Sequence, residues 1–494
     1  MAASVSFSHP PLQTIHQTLL GFAPEAVLVG GAVRDRLLDR PVHDLDYVVE
    51  GNALNVGRKL ADALDAAYYP LDKTRKIARI VWKQADETLV VDISSLIGMT
   101  LEEDIRRRDF TINAIAMLPD GQLFDLLGGA EDLEQRLLRL CSPDSLYNDP
   151  VRTIRAVRFL HLFELTPAPG MDQSVWYAAP RLHSISPERQ RDEFVKILAL
   201  SRPHLAVDRL NDWRIADELL PELVALQDVA QPQPHVFDVY HHSLQTLRWM
   251  SRLDRWLRGE DVGGDAIAAR IQQRLAAYRP ALNAYLQAPL TAERPRWLWL
   301  RFAAIAHDWG KARAFRENEE GDIHFYGHEQ LSGELVADWM LRYHCAKNEI
   351  AFVKRVCAQH MRPMGLFITG DAPSRRTLFR FYRDLDDAAP ATILLFLADF
   401  LGARGKEVDL AELDAALDHL DAFLQPFMEQ DEKPPIPTPL LNGNDIIQLF
   451  DAPKGPTIGR LISALQEAQA AGEVETREQA IGYIENLLET EDND

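Results

Sequence analysis

The feature of this 494-residue chain that most limits its fold is a change in hydrophobic pattern along the sequence. Up to about residue 140, short apolar runs of strand length alternate with segments of helical periodicity. From about residue 150 onward, nearly every segment has helical periodicity, as in VRTIRAVRFLHLF and ERQRDEFVKILAL. The pattern therefore predicts an α+β protein with a mixed sheet in its N-terminal domain and an all-helical remainder.

The first strongly patterned segment is LVGGAVRDRLLDRPVHDLDYVVEG, residues 28–51. Its pattern predicts a strand, a glycine turn, a helix and a second strand, at Val27–Val29, Gly30 and Gly31, Ala32–Leu38 and Asp44–Val49. Glycine lets a phosphate approach the main chain closely, and helix N-termini favour anions. The turn is therefore a candidate phosphate-binding site.

Two carboxylates follow this turn on one face of the second predicted strand. Side chains alternate across a strand, so Asp44 and Asp46 share a face and repel each other unless a cation lies between them. Further strands are predicted at Tyr68–Leu71, Ile77–Trp82 and Leu89–Ile93, and the last of these brings Asp92 as a third carboxylate. Three carboxylates suit Mg²⁺ and an in-line displacement at phosphorus, as in nucleotidyl transfer. A D-x-D alone is more often a solvated strand end, but the preceding GG-x-V-R-D favours the catalytic interpretation.

Length and charge restrict the partners of the chain. Its 494 residues predict roughly three or four domains. The formal net charge of −21 argues against binding of a nucleic-acid backbone, which usually needs a basic surface. Arginines are nevertheless clustered, and they form either a local basic track or ion pairs on solvated helices. They are Arg106, Arg107, Arg108, Arg152, Arg155, Arg158, Arg189 and Arg191.

Cysteine usage and hydropathy indicate a cytoplasmic protein. Cys141, Cys345 and Cys357 are far apart and odd in number, and no C-x-x-C occurs, which disfavours disulfides and a zinc ribbon. We find no signal peptide and no apolar stretch of membrane-spanning length, so no membrane partner is expected. No protein partner is evident.

Five ordered motifs resemble those of the bacterial tRNA nucleotidyltransferase and poly(A) polymerase family. They are LVGGAVRD with HDLDYVVEG, then LEEDIRRRDFTINAIAM, FDLLGGAEDL, NDPVRTIRAVRF and ISPERQRDEFVKIL, and they cover roughly residues 20–200. The resemblance implies a polymerase-beta-type nucleotidyltransferase head over 1–140 and an all-α neck and body over 141–228 that binds RNA and nucleotide. Its substrates would be CTP and ATP and the 3′ end of tRNA or another RNA.

The resemblance also implies roles for individual residues. Asp44 and Asp46 would hold catalytic Mg²⁺, with Asp92 as the third catalytic member. The nucleotide would be bound by glycines, arginines and their polar neighbours: Gly30, Gly31, Arg34, Arg108, Asp109, Asn113, Asp149, Arg152, Arg155 and Arg158. Guanidinium groups match phosphates bidentately and stay charged at any relevant pH, which agrees with this assignment.

Two segments bear on which nucleotide is added. In NDPVR, Asp149 is either a simple N-cap with Pro150 at the first helical position or, as the resemblance implies, a partner of Arg152 in reading the base edge of CTP or ATP. Asn148 stands where the family usually has a glutamate. The segment ISSLIGMTLEED is shorter than the loop associated in the family with switching to ATP, which favours addition of CC only.

A second group of motifs resembles the HD phosphohydrolase superfamily. They are DVYHHSLQTL, AIAHDWGKA, YGHEQLSG, CAQHMRP and LADFLGARG. The resemblance implies the metal ligands His242, His307, Asp308 and Asp399, with His328 and His360 for a second ion; His241 is the alternative to His242. The metal would be a divalent transition metal or Mg²⁺. Lys311 would either meet a phosphate or lie at the surface.

The predicted organisation is completed by an all-α HD domain over 229–430 and a small helical tail over 431–494. We therefore expect a template-independent RNA nucleotidyltransferase that adds C, A or both to tRNA and carries an HD phosphohydrolase domain. Alternatives within the class are CC-only, single-A and poly(A) addition. One alternative of another class is a protein that acts mainly as a nucleotide or RNA phosphohydrolase. A second is a non-catalytic RNA-binding scaffold, and the presence of two complete ligand sets disfavours this second alternative.

Overall fold

The computed structural model describes residues 9–42, 44–84, 87–96, 100–291, 294–405, 408–428, 436–451 and 455–491. Several predictions above fall partly on residues outside the described ranges. These residues include His43, residues 97–99 of the short loop, residues 429–435 at the predicted C-terminal boundary and residues 492–494. Among the described residues, no helix is long and apolar enough to cross a membrane.

An N-terminal sheet of seven strands, in the order β3-β4-β5-β2-β1-β6-β7, is followed by a helix-rich remainder. This confirms the mixed α+β prediction. Strands β1 and β2 have the predicted bounds, and three others extend beyond them. The sheet strands are β1 Val27–Val29, β2 Asp44–Val49, β3 Ala67–Asp72, β4 Ile77–Gln84, β5 Glu87–Ser95, β6 Ala116–Met117 and β7 Leu123–Phe124.

The remaining strands are short, and the helices make up most of the chain. Three pairs of strands lie outside the sheet: β8 Leu137–Leu138 with β9 Thr166–Pro167, β10 Pro289–Thr291 with β11 Arg294–Pro295, and β12 Arg316–Glu317 with β13 Ile323–His324. The helices up to residue 224 are α1 Pro10–Phe22, α2 Gly31–Leu37, α3 Ala53–Leu64, α4 Leu101–Arg107, α5 Gly129–Glu134, α6 Ser145–Asn148, α7 Val151–Leu162, α8 Met171–Ala178, α9 Pro187–Leu198, α10 Pro203–Asp212, α11 Ala216–Leu219 and α12 Pro221–Val224.

The later helices are α13 Val239–Leu257, α14 Ala266–Leu275, α15 Arg279–Gln287, α16 Arg296–Ala306, α17 Lys311–Ala314, α18 His328–Arg342, α19 Lys347–Gln359, α20 Met361–Thr369, α21 Arg375–Leu385, α22 Ala389–Arg404, α23 Leu410–Met428, α24 Gly443–Phe450, α25 Pro456–Ala471 and α26 Arg477–Glu491. Three 3₁₀ turns lie at Thr111–Asn113, Ala179–Ser184 and Asp386–Ala388.

The chain divides into two compact units. Unit 1 is Met1–Glu193 with Asp212–Glu218, and unit 2 is Phe194–Asn211 with Leu219–Asp494. In unit 1, β2 is antiparallel to β1 and parallel to β5. Along β2, Leu45 is buried while Asp44 and Asp46 are exposed, so the alternation of the strand directs the two carboxylates away from the core.

In unit 2, α13, α16, α19 and α22 pack around a shared core. Helix α22 is buried over nearly its whole length, so a charged residue on it must find partners inside the protein. Helices α24, α25 and α26 bury a hydrophobic cluster of their own that includes Leu441, Leu461 and Ile484.

The core of unit 2 also contains a fully buried ion pair between Arg301 and Asp254. Nε and Nη2 of Arg301 donate to the two carboxylate oxygens of Asp254, at 2.6 and 2.8 Å, and Nη1 donates to the carbonyls of Leu198 and Leu200. Both side chains are at most 1% exposed. Every nitrogen of the guanidinium group and both carboxylate oxygens thus have a hydrogen-bond partner within the protein.

Replacing Arg301 by Met should lower the free energy of unfolding by about 3–5 kcal/mol, because the buried Asp254 carboxylate would lose its bidentate partner and keep only the hydrogen bond from Nη2 of Arg258 at 3.2 Å. Urea denaturation followed by circular dichroism measures this. The control is Arg270→Met, which removes an ion pair with Asp414 that solvent screens. Equal losses for the two variants would contradict the interpretation of the buried pair.

Candidate functional site

The acidic residues of unit 1 lie on neighbouring strands. In the parallel pairing of β2 with β5, Asp46 is opposite Asp92, and Asp44 is two residues before Asp46 on the same face. Nε and Nη2 of Arg79 on β4 each donate to Asp92 at 2.8 Å, so this third carboxylate is already neutralised. Asp44 and Asp46 are therefore the carboxylates better placed to receive a cation.

The surroundings of Asp46 disfavour its negative charge. Displacement of water by the protein, followed by repulsion from Asp92 and Asp44, raises the pKa of Asp46 to about 6, although Arg108 opposes this. The side chain itself is still exposed. A bound cation would lower the pKa of Asp46 again, because it would offset the repulsion among the carboxylates. Three carboxylates of hard oxygen character fit Mg²⁺.

The glycine turn between β1 and α2 borders the same carboxylates. Gly30 has φ +77°, a conformation that favours glycine, and a Cβ there would lie 3.4 Å from Nη1 of Arg108 and 3.7 Å from Oδ2 of Asp46. The turn differs in one respect from a simple phosphate loop. The Gly30 N–H donates to the carbonyl of Ile115 at 3.2 Å, so it is not directed at a ligand.

A cleft of about 340 Å³ brings together most of the residues predicted to bind the nucleotide. It is lined by Gly30, Gly31, Arg34, Asp46, Arg108, Asp109, Asn113, Arg152, Arg155, Arg158 and Phe159. The structure does not place Asp44, Asp92 or Asp149 in its lining. The cleft combines one open carboxylate with five guanidinium groups, a composition that suits a polyanion bound together with a cation.

Buried polar groups fix the orientation of the cleft residues. Arg34 donates to the side-chain oxygen of Asn113, and Asn113 donates through Nδ2 to Asp109 at 3.0 Å. Nη1 of Arg155 donates to the other oxygen of Asp109 at 3.0 Å. Burial raises the pKa of Asp109, but Arg155 and Asn113 outweigh it and hold the pKa below its usual range. Asp109 therefore orients its neighbours as an ionised carboxylate.

Two further residues that contact the arginines of this cleft were not identified from sequence, and one of them, Phe159, also lines it. Glu193, which is 4% exposed, accepts from Arg155 at 3.1 Å and from Arg158 at 2.9 Å. Phe159 lies under the guanidinium groups of Arg158 and Arg34, with ring distances of 4.4 and 5.2 Å. Glu193 stands 35 or more residues from its partners, so no local spacing signals its role.

The N-cap interpretation of Asp149 is wrong. Helix α7 begins at Val151 after Pro150, which already has helical dihedral angles, and the Asp149 side chain caps no N–H. Its Oδ2 accepts from Nη2 of Arg189 at 2.7 Å and lies 3.8 Å from Nε of Arg152. Arg152 in turn donates to Oγ of Ser145 at 2.8 Å. Among the described residues, Oδ1 of Asp149 and Nε of Arg152 are buried without a hydrogen-bond partner.

Unit 2 contains a second constellation, a buried cluster of histidines and aspartates. Nε2 of His242 lies 3.0 Å from Oδ1 of Asp399 and 3.5 Å from Oδ2 of Asp308. Oδ1 of Asp308 faces His328 and His360 at 3.3 and 3.6 Å. Among the described residues, four overlapping groups have ligand atoms close enough to hold a metal ion; two of these groups also include His307, and one includes His235.

Four histidines of this cluster share one orientation, whereas Nδ1 of His242 is buried without a hydrogen-bond partner among the described residues. In each of the four, Nδ1 hydrogen-bonds a carbonyl three residues earlier, which requires Nδ1 to donate and leaves Nε2 as the ligand atom of the neutral ring. These pairs are His235 with Pro232, His307 with Ala304, His328 with Phe325 and His360 with Cys357. Among the described residues, both oxygens of Asp308 and Nε2 of His328 are buried without a hydrogen-bond partner. This donor set fits a divalent ion.

The electrostatics of the cluster favour a positive charge at its centre. Burial disfavours the charged form of His307, but the carboxylates of Asp308 and Asp399 outweigh it and raise the pKa of His307 to about 10. Burial and the neighbouring charge of His307 lower the pKa of His360 to about 3. His307 thus binds a proton while His360 stays neutral, because the two carboxylates stabilise a positive charge on His307.

Two sequence alternatives at this cluster are decided by position, and one further residue was missed. His242 is fully buried in the cluster, whereas His241 is exposed and pairs with Asp238. Lys311 is not a surface residue: it is 7% exposed, and Nζ lies 2.7 Å from both Asp308 and Gln231. His235 joins His242 and Asp399 in one candidate group but was missed, because its proline-rich surroundings indicated only a domain boundary.

A glycine of the HDWG motif is needed for this arrangement. A Cβ on Gly310 would lie 2.2 Å from the carbonyl oxygen of His328, so only glycine allows the start of α18 to approach Asp308. The cluster opens into a cleft of about 960 Å³ that is lined by Asp308, Lys311, His328 and His360 among others. A phosphate ester is small enough to reach the cluster through this cleft.

Comparison with known proteins identifies the family. A model described as the poly A polymerase head domain matches residues 26–139, and one described as the probable RNA and SrmB-binding site of polymerase A matches residues 165–226. The chain is 32% identical to the A-adding tRNA nucleotidyltransferase of Deinococcus radiodurans over 477 residues, 95% of this chain and 96% of that protein. It is 30% identical to the CC-adding tRNA nucleotidyltransferase of Thermus thermophilus over 471 residues, 93% of each.

Solved structures show the same fold. A CCA-adding enzyme with ATP aligns with a TM-score of 0.62 at 20% identity, covering 97% of this chain and 96% of the other. The Thermotoga maritima CCA-adding enzyme complexed with tRNA aligns with a TM-score of 0.58 at 20% identity and the same coverage. Given the two relatives above, the chain belongs to the tRNA nucleotidyltransferase family and is a nucleotidyltransferase.

The role of Glu193 can be tested by Glu193→Gln, which keeps the shape but removes the charge that holds Arg155 and Arg158. We expect the KM for the nucleotide to rise by about tenfold, because both arginines lose their shared anchor. Steady-state incorporation assays measure the change. The control is Asp192→Asn on the same helix, whose carboxylate is 55% exposed and pairs with Arg191. An unchanged KM for Glu193→Gln would contradict the assignment.

Proposed function

We propose that this nucleotidyltransferase adds C, A or both from CTP and ATP to the 3′ end of tRNA without a nucleic-acid template. The observation that carries the proposal is the unit 1 cleft, in which Asp46 faces the glycine turn and five arginines. The relatives, named for CC addition and for A addition, support the same class of substrate. Because the two relatives differ in nucleotide, the number and kind of additions must come from experiment.

Each part of the cleft then has a chemical task. The triphosphate lies against Gly31, Arg108 and Arg155, and the 3′-hydroxyl oxygen of the RNA attacks the α-phosphorus as pyrophosphate leaves. Mg²⁺ held by Asp44 and Asp46 would activate that hydroxyl and neutralise the leaving group. The arginines provide the rest of the charge complementarity, since guanidinium forks match phosphate oxygens.

The base would be read by side chains. Oδ1 of Asp149 accepts from the exocyclic amine of cytosine or adenine, and Arg152 donates to the adjacent ring nitrogen. Among the described residues, Oδ1 of Asp149 and Nε of Arg152 lack hydrogen-bond partners, so both retain the capacity to bond a base. Uracil and guanine present a carbonyl oxygen where the amine would be, so they meet the carboxylate unfavourably. Asp149 keeps its orientation through Arg189.

The direct test is incorporation of labelled CTP and ATP, separately and together with Mg²⁺, into tRNA transcripts that end before CCA, after C and after CC. Two C additions that stop with ATP present identify a CC-adding enzyme, addition only after CC identifies an A-adding one, and a completed end identifies a CCA-adding one. A long A tail would indicate a poly(A) polymerase. Failure to incorporate either nucleotide would contradict the proposal.

Asp46→Asn should lower kcat/KM for every accepted nucleotide by at least about a hundredfold, because the charge that binds the cation is lost. Asp62→Asn, which changes an exposed carboxylate on α3, is the matched control. Retention of activity by Asp46→Asn would remove the basis for catalysis in this cleft.

We propose further that the buried cluster of unit 2 is an HD-type metal centre of a phosphohydrolase. It would hold one ion on His242, His307, Asp308 and Asp399 and a second on Asp308, His328 and His360. The bound metal would supply an activated water for attack on a phosphoester. Lys311, beside Asp308 at the cleft, is placed to contact the substrate phosphate. His235 adds a ligand from the preceding loop.

Metal content tests this second proposal independently of catalysis. After dialysis against Mn²⁺ or Co²⁺ and removal of free ion, elemental analysis should find at least one ion more per wild-type chain than per chain of Asp308→Asn. His235→Ala should weaken binding by about 10–100-fold, and His241→Ala should not. Asp308→Asn should still transfer nucleotides. Loss of transfer in Asp308→Asn but not in Asp46→Asn would favour the alternative that the protein acts mainly through the phosphohydrolase site of unit 2.

A further inference from the structure

Unit 1 exposes a group of aromatic side chains that the proposed catalytic roles do not use. Tyr147 is 54% exposed, Trp176 49% and Tyr177 84%. Large aromatic side chains are more often buried, and a cluster of exposed ones usually marks a binding surface. We call these three residues, together with Arg181, the aromatic platform.

Local structure explains why these rings face outward. Helix α8 buries Met171, Val175 and Ala178, which leaves Trp176 and Tyr177 on its opposite face. The short helix α6 packs against α8 and buries Leu146, so its neighbour Tyr147 is directed to the surface. The core of unit 1 is thus complete without the three rings.

Arg181 gives the platform a positive charge. Its guanidinium lies 3.8 Å from the centroid of the Tyr147 ring, a cation–π stack, and its Nε is buried without a hydrogen-bond partner among the described residues. The carboxylate on α8 does not neutralise it, because Asp172 accepts from the indole N–H of Trp213 at 2.7 Å. A stacked arginine beside exposed aromatic rings resembles the surfaces that bind unpaired nucleotides.

The platform is continuous with the base-reading pair. Tyr147 is two residues before Asp149, at the end of α6. At the start of α6, Oγ of Ser145 accepts from Arg152, the other member of that pair. One short helix therefore bears an exposed ring while its two ends contact or adjoin the residues that would receive the incoming base.

We propose that the aromatic platform binds the unpaired 3′-terminal nucleotides of the RNA that is being extended, by stacking their bases on Tyr147, Trp176 and Tyr177. This inference rests on the proposed nucleotidyltransferase function and names the residues that position its RNA substrate. Every base has a π-face, so such stacking tolerates both the shorter and the extended end. A duplex does not fit, because its bases already stack on one another, and Arg181 supplies the charge for a neighbouring phosphate.

The test separates binding of RNA from binding of nucleotide. Tyr147→Ala and Tyr177→Ala should each raise the KM for a tRNA transcript by roughly fivefold to a hundredfold, and leave the KM for CTP and ATP within twofold of wild type. Tyr147→Phe keeps the ring and should restore the wild-type KM for RNA. The control is Tyr69→Ala, which removes a ring of similar exposure, 51%, from β3 of the same unit.

A binding measurement gives a second readout. Fluorescence anisotropy of a labelled single-stranded oligonucleotide ending in ACC should show the same order of affinities: wild type and Tyr147→Phe, then the two alanine variants. Circular dichroism of each variant establishes that it is folded. Equal KM values for RNA in Tyr147→Ala, Tyr177→Ala and Tyr69→Ala would overturn the proposal, as would a change only in oligomeric state, which would make the platform a protein interface.

Different results would contradict the proposed nucleotidyltransferase function and the assignment of the aromatic platform. If wild-type protein adds no nucleotide to any transcript, the proposed function is wrong, whatever the platform binds. If wild-type protein adds nucleotides and the alanine variants use RNA as well as it does, the function stands and the platform assignment is wrong.

Discussion

Charge balance by a few buried groups is the constraint on which both sites of this protein depend. In unit 1, Glu193 forms ion pairs with Arg155 and Arg158, and Asp109 forms a second ion pair with Arg155. These carboxylates offset the repulsion among the guanidinium groups that line the cleft. In unit 2 the signs are reversed: Asp308 and Asp399 are buried among histidines whose Nε2 atoms face them. The first cleft is lined by more guanidinium groups than carboxylates, and the second cluster combines two carboxylates with imidazole nitrogens. The first composition suits a polyphosphate and the second a metal ion.

The overall acidity of the chain is compatible with an RNA substrate for the same reason. A net charge of −21 describes the whole surface, whereas the field in a cleft depends on the side chains that line it. Two of the arginines predicted to form either a basic track or ion pairs combine both features. Arg155 and Arg158 are paired with a buried glutamate and still line the nucleotide cleft. Stacking on exposed rings adds an attraction for RNA that does not need a basic surface.

Short-range patterns account for what the sequence predicted well. Strands β1 and β2, the shared strand face of Asp44 and Asp46 and the change to helices depend on residues close together in the chain, and the structure has them where expected. Long-range pairing accounts for what was missed. Glu193 reaches its arginines from more than 30 residues away, and His235 joins the metal cluster from a loop whose prolines indicated only a boundary. Pro150 has the expected helical conformation, but Asp149 is not a side-chain N-cap because its carboxylate binds Arg189 instead of a helix N–H.

The most direct test of the central claim is a crystal structure of the full chain with a non-hydrolysable CTP analogue and Mn²⁺, with the ions located by anomalous scattering. The account predicts the triphosphate in the unit 1 cleft, an anomalous peak between it and Asp44 and Asp46, and the cytosine amine within hydrogen-bond distance of Asp149. Separate Mn²⁺ peaks at the histidine cluster of unit 2 would be expected without nucleotide. A structure in which the analogue binds at that cluster while the unit 1 cleft binds neither nucleotide nor metal would contradict the account.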